Sequence, residues 1–184
     1  GLKVVVPATA YDAKGLIKAA IRDPDPVLFF EHKLLYRRIK EEIPEEDYVV
    51  PIGKARIAKD GHDVSVITYG AMVFVALEAA EKLAKEGISI EVIDLRCLVP
   101  LDEAAVMVSV QKTNRVILLH EDTRQGGFAG ELAARVAEKA FEHLDAPILR
   151  ITAPDCPVPY SPPLEEAFLP KVQDVIEAAR FLKA

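Results

Sequence analysis

The chain has 184 residues, 51% of them hydrophobic and 28% charged, with a formal net charge of −6 and a pI near 5.3. That composition belongs to a folded globular chain and excludes intrinsic disorder. The acidic balance argues against nonspecific binding to nucleic acid or to a membrane surface, and no apolar run approaches a membrane span. Cys97 and Cys156 lack C-x-x-C spacing, and His32, His62, His120 and His143 show no zinc-type clustering, so packed thiols are expected and a zinc enzyme is not.

In chain order, "LKVVV" reads as a buried strand, "YDAKGLIKAAIRD" as a helix and "PVLFFE" as a second strand. Near-continuous apolar strands on either side of a helix predict a β-α-β unit with a parallel sheet. The stretch from Lys33 to Gly61 is rich in charge, contains Pro44 and Pro51, and reads as an exposed linker. A second alternating series follows: strand "DVSVITYG", helix "AMVFVALEAAEKLAKEG", strand "ISIEVIDL", short helix "LDEAAVMVSVQKT", strand "RVILLHE", helix "FAGELAARVAEKAFEHL" and strand "PILRIT". Gly87 is placed to end the first of these helices. The five prolines of "APDCPVPYSPP" predict irregular structure, and "LPKVQDVIEAARFLKA" predicts a final amphipathic helix. The second series predicts a three-layer α/β domain.

One strand-to-helix junction raises a chemical question. "HEDTRQGGFAGEL" has the spacing G-G-x-x-G, which is neither the dinucleotide fingerprint nor a P-loop. A helix start offers free N–H groups to an anion. Glu121, Asp122 and Glu131 surround it with like charge, so a simple turn is the favoured reading. His120 and Glu121 suggest acid–base chemistry, but no nucleophile accompanies them and a structural role is expected.

Several stretches together resemble the β subunit of the decarboxylating, thiamine diphosphate-dependent component of 2-oxo acid dehydrogenase complexes. They are "GLKVVVPATAYDAKGLIKAAIRDPDPVLFFEHKLLYR", "VPIGKARI", "VITYGAMV", "EVIDLRCLVPLDEAAVMVSVQKTNRVILLHED", "GGFAGEL", "LDAPILRITAPD" and "FLP". "FFEHKLLYR" and "EEIPEEDYVVPIGKA" look more like the branched-chain (2-oxoisovalerate) type than the pyruvate type. The resemblance implies an α/β fold in which residues 1–45 end a pyrimidine-binding domain, 46–60 link, and 61–184 form a transketolase C-terminal-like domain. It implies oxidative decarboxylation of branched-chain 2-oxo acids and acyl transfer to lipoamide, with a pyruvate dehydrogenase β subunit or a noncatalytic assembly module as alternatives.

The same resemblance implies thiamine diphosphate with magnesium, the cofactor's thiazolium serving as electron sink. The glutamate and histidine that the family's β subunit contributes would lie upstream of Gly1, so no catalytic or cofactor-binding residue is expected here and the piece alone is expected to be inactive. A potassium ion is implied at main-chain carbonyls around Ala20, Ile21, Asp23 and Asp25, where a helix end presents unpaired carbonyls. Implied partners are an α subunit and a second β subunit in a heterotetramer, and the acyltransferase core, whose peripheral subunit-binding domain would meet Asp145 and the carboxylate of Ala184. Tyr36 and Arg37 are expected either near a subunit interface or on a solvated linker, and Asp94 and Arg96 either in an interface ion pair or in strand-end roles. "GGFAGE" is expected to turn the chain and pack against a subunit. The implied location is cytoplasmic, or the mitochondrial matrix in a eukaryote.

Overall fold

The computed structural model describes residues 1–184 and contains two sheets. The first grows from the opening β-α-β pattern. Strand β1 (Lys3–Val5) leads into helix α1 (Ala10–Arg22), which returns the chain to β2 (Val27–Phe29) parallel to β1. Thr9 starts the helix, its hydroxyl oxygen accepting the Asp12 N–H. The residue before Pro24 is pushed out of the helical region, and Asp23 is extended at φ −75°, ψ 135°.

The charged stretch from Lys33 to Gly61 is not a free linker. It forms α2 (Leu35–Arg38), then a strap lying along α1, then β3 (Arg56–Lys59). The Glu41 carboxylate accepts the Tyr11 N–H at 2.5 Å, the Pro44 carbonyl accepts from Lys14, and Asp47 takes Lys18 at 2.7 Å and Arg22 at 2.9 Å. The Tyr48 ring stacks on Tyr11 with centroids 4.5 Å apart. These side chains look solvated in sequence because their partners are 25 to 32 residues away.

The second sheet has the order β3-β5-β4-β7-β8, with β4 (Val64–Thr68), β5 (Ile90–Asp94), β7 (Val116–Thr123) and β8 (Leu149–Ala153). β3 joins its edge antiparallel, and the other pairs are parallel. Every residue of β4 and β5 is buried, as a sheet covered on both faces requires. Alternate side chains divide between two cores. Val64, Val66, Ile90, Val92, Ile117 and Leu119 pack against α3 (Met72–Ala84) and α7 (Val172–Lys183), while Ile67, Ile93, Val116 and Leu118 pack against α4 (Glu103–Thr113) and α5 (Ala129–Ala140). A turn of 3-10 helix, Phe141–His143, follows α5.

Two further elements depart from the sequence reading. Residues Cys97–Val99 form β6, which leaves the large sheet and pairs antiparallel with β1 in the order β2-β1-β6. The proline-rich segment is irregular only as far as Ser161. Pro162 and Pro163 then open α6 (Pro162–Phe168), because the first helical turn needs no N–H donors.

Candidate functional sites

The end of α1 gathers charge before it offers carbonyls. Lys3 Nζ lies 2.6 Å from one Asp23 oxygen, 2.8 Å from the other and 3.0 Å from Asp25. The hydrogen bond to Asp23 raises the Lys3 ammonium above its ordinary value and holds the Asp23 carboxyl below the usual range. The Ala20 carbonyl accepts the Asp23 N–H at 3.3 Å, and the Ile21 side chain is exposed. Both carboxylates are thus occupied by an ammonium, and a cation placed here would be held by backbone oxygens in competition with Lys3.

Arg115 ties Asp145 to the last turn of α7, two residues before Ala184. The guanidinium lies 3.4 Å from the Asp145 carboxylate and donates from Nε to the Leu182 carbonyl at 2.7 Å. The Asp145 N–H donates to the Asn114 carbonyl at 2.9 Å, and Asn114, left-handed at φ 61°, ends α4. The Ala184 N–H donates to the Arg180 carbonyl, closing α7. Asp145 therefore points outward from a rigid corner, with its charge half-balanced by Arg115.

A third group lines the seam between the two sheets. Glu121 reaches outward to His32, 3.0 Å from Nε2, whereas His120 points inward. Neighbours on a strand face opposite ways, so these two residues do not form an acid–base pair. His120 is 1% exposed, and neither ring nitrogen has a hydrogen-bond partner. Burial lowers its pKa, and burial likewise pushes Tyr69, whose ring centroid lies 6.3 Å away, up to about 12. Outside this seam runs a groove of about 870 Å³, lined by Leu35, Ile39, Met72, Val75, Glu121 and Leu169. Tyr36 is exposed, and its pKa is raised by a hydrogen bond to Glu31; Arg37 is exposed beside it.

The double-glycine stretch makes a turn, and the turn is full. Gly126 is left-handed at φ 77°; a Cβ on Gly127 would come within 2.3 Å of the Thr123 carbonyl oxygen and 2.6 Å of the His120 ring. One loop amide, that of Gln125, is already taken by the Asp155 carboxylate at 2.7 Å. Gly127 therefore packs against the end of β7 instead of opening a cradle, and the Gln125 amide is not free for an anion.

Asp94 and Arg96 do not pair with each other through their side chains. Asp94 accepts from Arg56 at 3.1 Å, and Arg96 lies 2.6 Å from Asp12. Sequence reading could not have joined Arg96 to Asp12, because no spacing rule links residues in different domains. Asp12, Arg56 and His32 were missed for that reason.

Two known domains match the chain in tandem. Residues 53–175 match the family described as "Transketolase, C-terminal domain", and residues 1–39 match "Transketolase, pyrimidine binding domain". The chain belongs to the transketolase family. Among sequenced relatives, the "2-oxoisovalerate dehydrogenase subunit beta" of Bacillus subtilis (strain 168) is 53% identical over 180 residues, covering 97% of this chain and 55% of that protein. The "Pyruvate dehydrogenase E1 component subunit beta" of the same organism is 49% identical, covering 98% and 55%. A mitochondrial pyruvate dehydrogenase subunit beta-1 of Arabidopsis thaliana is also 49% identical, covering 98% and 50%. The chain therefore spans about half the length of these relatives. Among solved structures, one titled "Split gene transketolase, inactive beta4 tetramer" superposes with a TM-score of 0.80 at 26% identity, covering 99% of this chain and 57% of that one. The transketolase-type fold expected from the sequence is thus present, with the pyrimidine-binding segment contributing β1, α1 and β2. No helix is long and apolar enough to cross a membrane.

Proposed function

We propose that the chain is a β-subunit portion of a thiamine diphosphate-dependent 2-oxo acid dehydrogenase that decarboxylates branched-chain 2-oxo acids and passes the acyl group to lipoamide. The observation that carries this reading is the 53% identity to the 2-oxoisovalerate subunit, against 49% to the pyruvate subunit of the same bacterium. The 4-point margin is small, so the pyruvate enzyme is the competing reading. The expected compartment is the cytoplasm, or the mitochondrial matrix in a eukaryote.

The double-glycine turn does not offer a cradle for the diphosphate of thiamine diphosphate. The glycine turn is filled by His120 and the Thr123 carbonyl, its Gln125 amide is occupied by Asp155, and no three His, Cys, Asp or Glu side chains gather as a metal group. The role read for this chain is therefore to position and assemble. An α subunit and a second β subunit complete the cofactor site in a heterotetramer, potassium sits on the carbonyls near Ala20, Ile21, Asp23 and Asp25, and Asp145 with the Ala184 carboxylate faces the basic subunit-binding domain of the acyltransferase.

Steady-state kinetics of the full-length subunit reconstituted with its α partner test this. A higher kcat/KM for 2-oxoisovalerate than for pyruvate is expected, and residues 1–184 alone should turn over neither. A preference for pyruvate overturns the branched-chain assignment, and turnover by residues 1–184 alone overturns the positioning role.

A further inference from the structure

The chain crosses from one sheet to the other over two residues. β5 ends at Asp94 in the large sheet, and β6 begins at Cys97 in the small one. Between them Arg96 is left-handed at φ 57°, and the Cys97 N–H donates to the Leu95 carbonyl at 2.5 Å, closing a three-residue turn. Each sheet grips the turn. The Leu95 N–H donates to Thr68 in β4 at 2.9 Å, and the Arg96 carbonyl accepts the Val6 N–H, just beyond β1, at 2.7 Å.

Arg96 is an expensive residue for this backbone, since glycine or asparagine adopts the left-handed region at lower cost. Its side chain accounts for its presence. The guanidinium reaches across the domain boundary to Asp12 of α1 at 2.6 Å, while the Arg96 N–H donates to Asp94 at 3.1 Å. Asp12 also accepts the Thr9 hydroxyl at 2.9 Å and lies 3.6 Å from Arg56, which donates to Asp94 at 3.1 Å. Two carboxylates and two guanidiniums thus form a balanced group in which both carboxylates are 0% exposed. Three members belong to the C-terminal domain, and α1 supplies the fourth.

Apolar contact alone would leave this boundary loosely oriented. The core beneath it has four buried members, Val5, Leu16, Val50 and Cys97, and hydrophobic burial is non-directional. A buried carboxylate tolerates no such freedom, because losing its partner leaves an uncompensated charge. We propose that Arg96 is an orientation lock between the pyrimidine-binding segment and the C-terminal domain. Its left-handed turn aims the guanidinium at Asp12, so that α1 has one charge-neutral seat. The lock does not depend on which 2-oxo acid is the substrate.

Amide hydrogen exchange on the intact chain tests the lock through Arg96→Gly, Asp12→Asn and the double variant. Arg96→Gly relieves the turn yet should speed exchange in α1, β1 and β6 by about tenfold or more, leaving α3 and α7 unchanged. Asp12→Asn should show the same local pattern, and the double variant should be no worse than the more severe single one. Arg56→Gln, which spares the 2.6 Å pair but leaves Asp94 without its guanidinium, should speed exchange in β3 and β5 more than in α1. Should the first two variants not fold, Arg96→Lys should show the same local pattern at smaller size. The lock is overturned by any of three results: unchanged α1 exchange in Arg96→Gly, strictly additive effects in the double variant, or an acceleration spread evenly over both domains.

Discussion

Alanine substitutions at the three glycines of "GGFAG" should move stability in different directions and by different amounts. At Gly127 the added Cβ would lie 2.3 Å from the Thr123 carbonyl oxygen and 2.6 Å from the His120 ring, where real contacts stay above 3.0 Å. Either the end of β7 or the turn must therefore move by roughly 0.7 Å, and both are backbone. Overpacking of that kind costs about 2–3 kcal/mol, or about 4–12 °C in unfolding midpoint for a domain of this size. Gly126→Ala meets no atom within 4 Å, but alanine at φ 77° costs about 1 kcal/mol, or about 2–4 °C. Gly130 lies inside α5, where an alanine Cβ would sit at an ordinary 3.7 Å from Arg150, so its greater helix propensity should add about 0.5 kcal/mol and about 1–2 °C. Thermal unfolding followed by circular dichroism should rank Gly130→Ala above the parent, then Gly126→Ala, then Gly127→Ala. If Gly127→Ala melts at or above Gly126→Ala, the close approach of this turn to His120 and Thr123 is refuted, and with it the reading of Gly127 as a packed turn and not a cradle.

Burial lowers the pKa of His120 in the fold, so on acidification the unfolded chain takes up its proton first. This contribution is whole above the unfolded value of about 6.5 and is lost as pH falls below it. Urea midpoints should decline between pH 7 and pH 5.5 in the parent and less steeply in His120→Gln; equal slopes would remove His120 as the cause. Asp145→Lys replaces a carboxylate 3.4 Å from Arg115 on a half-exposed corner, a pair worth about 1 kcal/mol or less, so the unfolding midpoint should fall by no more than about 4 °C. The same change should slow association of the assembled enzyme with the acyltransferase subunit-binding domain, most of all at low salt. Surface plasmon resonance showing unchanged association at every salt concentration would remove Asp145 from that docking face.

Where order is local or repeated, it was readable before folding. β4, β5 and β7 announced themselves as predominantly apolar runs because a parallel sheet covered on both faces buries nearly every side chain, the polar Ser65, Thr68, Glu91, Asp94 and His120 among them, and α3, α5 and α7 through the 3.6-residue period that their packed faces impose. The turn at Gly126 and Gly127 was legible too, since glycine serves where φ is positive or backbone approaches closely. Much less of the candidate sites could be read. The expectation of a docking face at Asp145 and Ala184 came from resemblance, while the link that Arg115 makes between Asp145 and the Leu182 carbonyl depends on α7 folding back across β7. The strap from Glu41 to Tyr48 looked like solvated charge because its cationic partners sit on α1, and β6 was hidden because three residues after a left-handed arginine carry no period of their own. Composition and hydrophobic period determined the helices, the buried strands and the covered parallel sheet, since these follow from which side chains leave water. Only the tertiary structure decided that Arg96 faces Asp12 and that His120 turns inward while Glu121 turns out to His32, because charge pairing across domains acts through distance in space, which sequence separation does not record.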